Sequence, residues 1–265
     1  MRDLRGATAL VTGATGGIGS AVARALAAKG MEVVVSGRNE EQLAALEREL
    51  GARPVRADLS DLSQVETLAA AAEPVDVLVS NAGVEQYLGF LHVEPDELER
   101  IVRLNLTAGL LLVRQLLPGM LERGRGHVVS MSSLAGHAYP AYQVGYATTK
   151  AGQIAFTRAL RAEFRESPVG FSVVSPSFVT GAGMHANELE SIGLKAPFPP
   201  GSVSPERVAR AVVRAIERDL PEVLVAPAPI RPLMALDALS PRLGAAIVRV
   251  TGVNELFRKA ARSRR

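Results

Sequence analysis

Tyr146 and Lys150 stand four residues apart in Tyr146-Ala147-Thr148-Thr149-Lys150, a spacing that puts two side chains on one helix face, a turn apart. An ammonium beside a phenol favours the phenolate, so the pair predicts a tyrosine whose pKa falls from about 10 toward neutrality. Such a phenol is a general acid for a developing alkoxide, or a base in the reverse direction. Lysine is scarce: Lys29, Lys150, Lys195 and Lys259 stand against 26 arginines. A buried Tyr and a surface Lys on an ordinary helix share the same spacing, so the pair needs a context.

Thr12-Gly13-Ala14-Thr15-Gly16-Gly17-Ile18-Gly19 supplies one. It follows an apolar run and opens a helical pattern. Its glycines allow a tight turn and close backbone approach, and the free N–H groups at a helix start favour a diphosphate. Thr12, Gly13, Thr15, Gly16, Gly17, Ile18 and Gly19 are therefore candidate cofactor contacts. The next apolar run ends Ser36-Gly37-Arg38, where an NAD-binding chain would carry an acidic residue. Gly37 leaves space there and Arg38 offers a guanidinium, which suits the 2′-phosphate of NADP(H). Glu40 and Glu41 lie close by, so NAD(H) stays open as the alternative.

These groups need elements to hold them. Short apolar runs predict strands over 7–12, 32–36, 54–57, 75–80, 127–132, 170–174 and 223–225. Helical patterns cover 20–29, 40–50, 62–72, 96–123, 146–164 and 205–218, the fourth with a break or bend expected near Gly109 and Pro118. Uninterrupted apolar strands alternating with helices indicate an α/β fold, a Rossmann-type doubly wound parallel sheet with helices on both faces. Residues 1–232 are read as this single catalytic domain and 233–265 as a helical, basic extension. The stretch 180–204 is rich in Gly and Pro, with a short helix expected over 186–192, and is read as a lid over a site.

Composition narrows the chemistry. The chain has 265 residues and no Cys, which excludes a disulfide scaffold, a thiol nucleophile and Cys-based metal sites. His92, His127, His137 and His185 share no ligand spacing, so no metal is expected; Ser133 has no G-x-S-x-G frame, so a hydrolase triad is not expected. The net charge of +3 is uneven: residues 241–265 carry +6 and the rest −3. A basic tail without a recognition element argues against nucleic acid. The opening residues show no secretory signal, and no apolar run approaches the roughly 20 residues of a membrane span. A cytoplasmic protein is the expectation.

Taken together, Thr12, Gly13, Gly17 and Gly19, the Asn81-Ala82-Gly83 segment and the Tyr146/Lys150 pair resemble the classical short-chain dehydrogenase/reductase family over roughly residues 5–225. The resemblance implies Asp58, with Leu59, against an adenine, and Asn81, Ala82 and Gly83 beside the cofactor. It implies Ser133 as the catalytic serine that hydrogen-bonds the substrate oxygen, with Ser132 facing the other side of its strand. Asn105 would hold a water near Lys150, and Lys150 would bind the nicotinamide ribose. Pro176-Ser177-Phe178-Val179-Thr180 resembles the family segment facing the carboxamide, so Pro176, Val179 and Thr180 join the cofactor set. Ser177 replaces a usual Gly, and Gly181 stands where a Thr is usual. Relatives pair through helices corresponding to 96–123 and 146–164, implying a homodimer or homotetramer.

The function expected is hydride transfer between NADP(H) and an apolar ketone or secondary alcohol, with Tyr146 as general acid/base. A 3-oxoacyl substrate, an NAD(H)-dependent alcohol dehydrogenase and a non-catalytic nucleotide-sensing regulator are the alternatives. Phe178, Met184, Leu189, Ile192, Leu194, Phe198, Leu134, Ala138, Tyr139 and Tyr142 are candidates for an apolar wall, or for packing of the lid on its own domain. Leu233, Leu236, Leu239, Leu243, Ile247 and Val250, with Arg242 and Arg249 among them, leave three roles for the extension: covering the substrate mouth, packing a partner subunit, or lying on an anionic membrane surface. Its last six residues are expected to fray.

Overall fold

The computed structural model describes residues 3–181 and 201–263. The apolar runs form β1 (Thr8–Thr12), β2 (Glu32–Gly37), β3 (Arg53–Arg56), β4 (Val77–Ser80), β5 (Gly126–Met131), β6 (Val169–Pro176), β7 (Phe178–Val179), β8 (Ser202–Val203) and β9 (Glu222–Val225). Seven of these make one sheet in the order β3-β2-β1-β4-β5-β6-β9, with every pair parallel. The fold is a Rossmann-type doubly wound sheet. β7 and β8 form a separate parallel pair that ties the two ends of the segment 180–204 together.

The helices are α1 (Gly17–Ala27), α2 (Glu40–Leu50), α3 (Ser63–Ala72), α4 (Pro95–Val102), α5 (Ala108–Glu122), α6 (Ala135–Ala138), α7 (Val144–Glu163), α8 (Pro205–Arg218), α9 (Arg231–Leu239), α10 (Pro241–Val250) and α11 (Val253–Ser263). Alternate strand residues face opposite sides of a sheet. Ala9, Val11, Val77 and Val79 therefore enter a core shared with Val22 and Leu26 of α1 and Val208, Val212 and Ile216 of α8. Leu10 and Leu78 enter the opposite core, with Leu68 of α3 and Leu112 and Leu116 of α5. Burial on both faces is why these strands read as continuous apolar runs. The strand order reverses between β1 and β4, which opens a crevice at the carboxyl ends of those strands, where such sheets bind ligands.

One expectation about the helices is corrected. The helical stretch is not broken at Gly109 or Pro118; both lie inside α5, and the interruption comes earlier, as a π-helical turn over Arg103–Thr107. Gly109 serves close packing instead, since a Cβ there would sit 2.7 Å from Ser80 Oγ of β4. Pro95–Glu122 is long and apolar enough to cross a bilayer by length and composition. Its Ile101, Leu112, Leu116 and Met120 are buried inside the protein, so it is a core helix.

The extension is also corrected in one respect. Its end does not fray through the last six residues: α11 runs to Ser263, with Ala260 and Ala261 buried. The helix expected over 186–192, together with Met184, His185, Leu189, Ile192, Leu194, Phe198, Arg264 and Arg265, lies outside the described residues.

Candidate active site

The glycine segment turns between β1 and α1. Gly13 adopts φ +63, and a Cβ at Gly19 would lie 2.2 Å from the Gly13 carbonyl oxygen, so this turn admits no side chain at either position. α1 begins after Gly16 with no side-chain cap and no acidic residue in its first turn. Its first N–H groups are left for an anion, and the helix dipole favours one there. The glycine cradle and the uncapped helix start thus fit a dinucleotide diphosphate. Gly13, Thr15, Gly16, Gly17, Ile18 and Gly19 all line the crevice.

Thr12 does not. Its side chain is fully buried, and its hydroxyl accepts the Asn81 and Ala82 amides, each at 3.0 Å. Asn81 Nδ2 answers by donating to the Thr12 carbonyl at 2.9 Å. These bonds lock the end of β1 to the end of β4, so Thr12 shapes the groove from behind while Asn81, Ala82 and Gly83 form its wall.

At the rim, Arg38 and Asp58 both line the crevice with Leu59, and Arg38 Nη1 lies 3.8 Å from Asp58 Oδ2. Burial opposes the charge on Asp58, but the Ser60 hydroxyl and amide, with Arg38, outweigh it and hold the carboxyl below its usual range. The Arg38 side chain is 62% exposed, so this ion pair is weak and leaves the guanidinium available to a phosphate. The space attributed to Gly37 is used: a Cβ there would lie 2.7 Å from Thr15 Oγ1.

Deeper in, β5 delivers Ser132 and Ser133 and α7 delivers Tyr146 and Lys150. Ser132 and Ser133 both line the crevice, and the Ser132 hydroxyl donates to the Lys150 carbonyl at 2.8 Å. Ser133 sits beside Tyr146, where its hydroxyl favours the phenolate, and Lys150 Nζ lies 5.5 Å from the Tyr146 ring centroid. The expected fall of the tyrosine pKa is corrected here. Burial, reinforced by the negative charge of Glu85, pushes Tyr146 well above the usual phenol value, and the Ser133 hydroxyl offsets only part of this. Burial also lowers Lys150 to about 8, against the pull of Glu85. Desolvation outweighs the ammonium, so the Tyr146 phenol holds its proton.

Asn105 is buried and stays out of the crevice lining. Its side chain grips the Val84 backbone, Oδ1 accepting from the amide at 2.7 Å and Nδ2 donating to the carbonyl at 2.8 Å. Its own carbonyl accepts from Gln153 Nε2 at 2.6 Å, and Gln153 Oε1 accepts from Lys150 at 3.1 Å. A side-chain amide therefore bridges Asn105 and Lys150. Glu85 and Gln153 were not among the expected site residues. Gln153 carries a readable signal, three residues beyond Lys150 on the same helix face; Glu85 directly follows the Gly83-Val84 segment.

The crevice continues into an apolar cavity, and the two together enclose about 440 Å³. Leu134, Ala138, Pro176, Phe178 and Val179 line it, but Tyr139 is 64% exposed and Thr180 bonds back to Val203, so these two do not. The far wall comes from the extension: Leu233, Met234, Ile247, Val248 and Phe257. Phe257 stacks on buried Tyr87 with centroids 5.3 Å apart, and sits 5.9 Å from Phe178.

Against this geometry, a sequence model described as short chain dehydrogenase matches residues 7–193. The chain belongs to the short-chain dehydrogenase family. It is an enzyme of that family, an oxidoreductase working between CH–OH and C=O groups. It is 36% identical over 278 residues to the ketoacyl reductase HetN of Nostoc sp. strain PCC 7120, covering all of this chain and 96% of that protein. Among solved structures it is similar to an actinorhodin polyketide ketoreductase with NADPH, at 30% identity and TM-score 0.77, covering 85% of this chain and 98% of that one. It is also similar to a short-chain dehydrogenase from Burkholderia phymatum in complex with NAD, at 26% identity and TM-score 0.80, covering 92% and 96%. Both of these solved structures hold a nicotinamide cofactor, NADPH in one and NAD in the other.

Proposed function

We propose that this enzyme transfers a hydride between NADP(H) and an apolar ketone or the matching secondary alcohol, with Tyr146 as the general acid/base. The observation that carries this reading is the convergence of Ser133, Tyr146 and Lys150 on one crevice that runs from the glycine turn to an apolar cavity. The nicotinamide, when bound, supplies or accepts the hydride. The rest belongs to the chain. Tyr146 stays a phenol across the neutral range, since burial and Glu85 raise its pKa, and so donates its proton to the carbonyl oxygen during reduction. Ser133 turns its hydroxyl to the same oxygen and fixes it against Tyr146. The Lys150 ammonium stabilises the phenolate as it forms and holds the ribose side of the cofactor.

Arg38 supports NADP(H), because its guanidinium is exposed at the rim and only loosely paired with Asp58. Arg38→Ala is expected to weaken NADP(H) binding by about tenfold or more, as loss of a charge-assisted phosphate contact should, with NAD(H) little changed. An equal loss for both would remove the 2′-phosphate contact and favour NAD(H). The apolar wall built by the extension supports a ketone with a sizeable hydrocarbon part. A 3-oxoacyl substrate is the second reading, supported by the ketoacyl reductase name of the Nostoc relative. A substrate panel of apolar ketones and 3-oxoacyl thioesters, run with each nicotinamide, separates the two. A homodimer or homotetramer formed through α5 and α7, working in the cytoplasm, completes the proposal.

A further inference from the structure

The Lys150 amine is buried and held from two sides. Nζ donates to the Met131 carbonyl at the end of β5 (2.8 Å) and to Gln153 Oε1 (3.1 Å). The other end of that amide, Nε2, donates to the Asn105 carbonyl at 2.6 Å. An ammonium only donates and a carbonyl only accepts, so the Gln153 amide has a single orientation that satisfies both. Gln153 is itself buried and is absent from the cavity wall. It meets neither the space for substrate nor that for cofactor. The carbonyl it reaches belongs to the π-helical turn Arg103–Thr107, a local break in helix register of the sort often found at functional sites. The bridge thus spans from that turn to α7 and ends on the functional amine.

We propose that Gln153 is a positioning residue for the proton-transfer step: it tethers the Lys150 amine to the Asn105 carbonyl and so holds the ammonium beside Tyr146. The inference rests on the reading that Lys150 supports Tyr146. Among the described residues, Glu85 and Tyr146 are the titratable groups facing the amine, Glu85 by its field and Tyr146 by its ring. The remaining neighbours are uncharged: the Met131 carbonyl, the Gln153 amide and the Gly83 backbone, where a Cβ would lie 3.6 Å from Nζ. Burial works against the ammonium, and the Gln153 oxygen works for it, because an acceptor aimed at the charged form stabilises that form.

The test changes the acceptor in opposite directions. Gln153→Leu removes it and the tether; Gln153→Glu replaces it with a carboxylate. The alkaline limb of kcat/KM is expected to move down by about half to one pH unit in Gln153→Leu and up by a similar amount in Gln153→Glu. In Gln153→Leu, kcat falls about tenfold while KM for the nicotinamide changes much less, as misplacement of a group acting in the transition state requires. A second readout needs no turnover. In the cofactor-free protein a buried lysine with a lowered pKa makes unfolding stability rise with pH from about 8 upward. The onset of that rise moves down in Gln153→Leu and up in Gln153→Glu. Gln153→Met repeats the acceptor loss with a flexible side chain, so that a packing defect in one variant is not mistaken for the effect. A residue that merely packs would lower stability equally at every pH, leaving limb and onset in place, and that result overturns the proposal. If the onsets move as stated while no carbonyl is reduced with either nicotinamide, the tether is upheld and the reductase reading is what fails.

Discussion

The pKa values of two buried groups in this site move in opposite directions, and burial decides both. Tyr146 keeps its proton because the phenolate is poorly solvated and faces Glu85; Lys150 gives its proton up early, near pH 8, for the same lack of solvent. The working form for carbonyl reduction therefore has a neutral phenol and a charged amine. That form is fully present below about pH 8 and is lost as pH rises through the Lys150 value, so kcat/KM is expected to be flat through neutrality and to fall above about pH 8. A profile flat to about pH 10 would show that Lys150 is not required as an ammonium. The four-residue spacing makes the Tyr146/Lys150 pair legible in the sequence. The sign of the tyrosine shift is not legible there, because it depends on desolvation, which spacing does not report. For Gln153 the spacing shows a neighbour of Lys150 but not its role, since an amide on the lysine's own face looks like ordinary helix surface until its far end is found on Asn105.

At the scale of elements, the strands are easy to read because both sheet faces are buried, leaving apolar runs such as Val77–Ser80 with no polar alternation. The break in the helical stretch is harder. Gly109 and Pro118 carry the lowest helix propensities, yet α5 passes through both, and the chain instead departs from α geometry at Arg103–Thr107. The side chain of Asn105 explains why that turn is kept. It satisfies both the N–H and the C=O of Val84, in the loop that carries Glu85 to the crevice. Asn105→Ala leaves both backbone groups without those partners, and is expected to cost about 2–4 kcal/mol of unfolding stability. Denaturant titration checks this; a loss under about 1 kcal/mol would mean that water or a shifted neighbour replaces the amide.

The whole molecule couples a conventional cofactor crevice to a cavity wall that the last helices provide. The extension reads from sequence as basic and amphipathic, but its three possible roles are not separable there, since spacing does not say what an apolar face meets. In the structure one face of α9 and α10 turns Leu233, Met234, Ile247 and Val248 to the cavity, and α11 brings Phe257 onto Tyr87 and Phe178. Leu239, Leu243 and Val250 remain exposed on the outer side. Ending the chain at Ile230 is expected to leave nicotinamide binding within about threefold of the full chain while raising KM for apolar ketones by about tenfold or more, through the apolar contact area lost. Equal KM values for the full and shortened chains would show that the extension does not contact substrate. Phe257→Ala, which empties a buried aromatic site, is expected to destabilise the protein by about 3 kcal/mol and to move the same KM in the same direction.

The central claim is that Tyr146 delivers the proton in a nicotinamide-dependent carbonyl reduction, and Tyr146→Phe tests it most directly. Nicotinamide absorbance is followed with an apolar ketone under single-turnover conditions, for the wild-type chain and the variant, after NADPH binding to each has been measured by fluorescence. The account predicts NADPH binding within about threefold of wild type and a hydride-transfer rate lowered by about 10²–10⁴-fold, the range for loss of a positioned general acid. Equal single-turnover rates in the two proteins would contradict it.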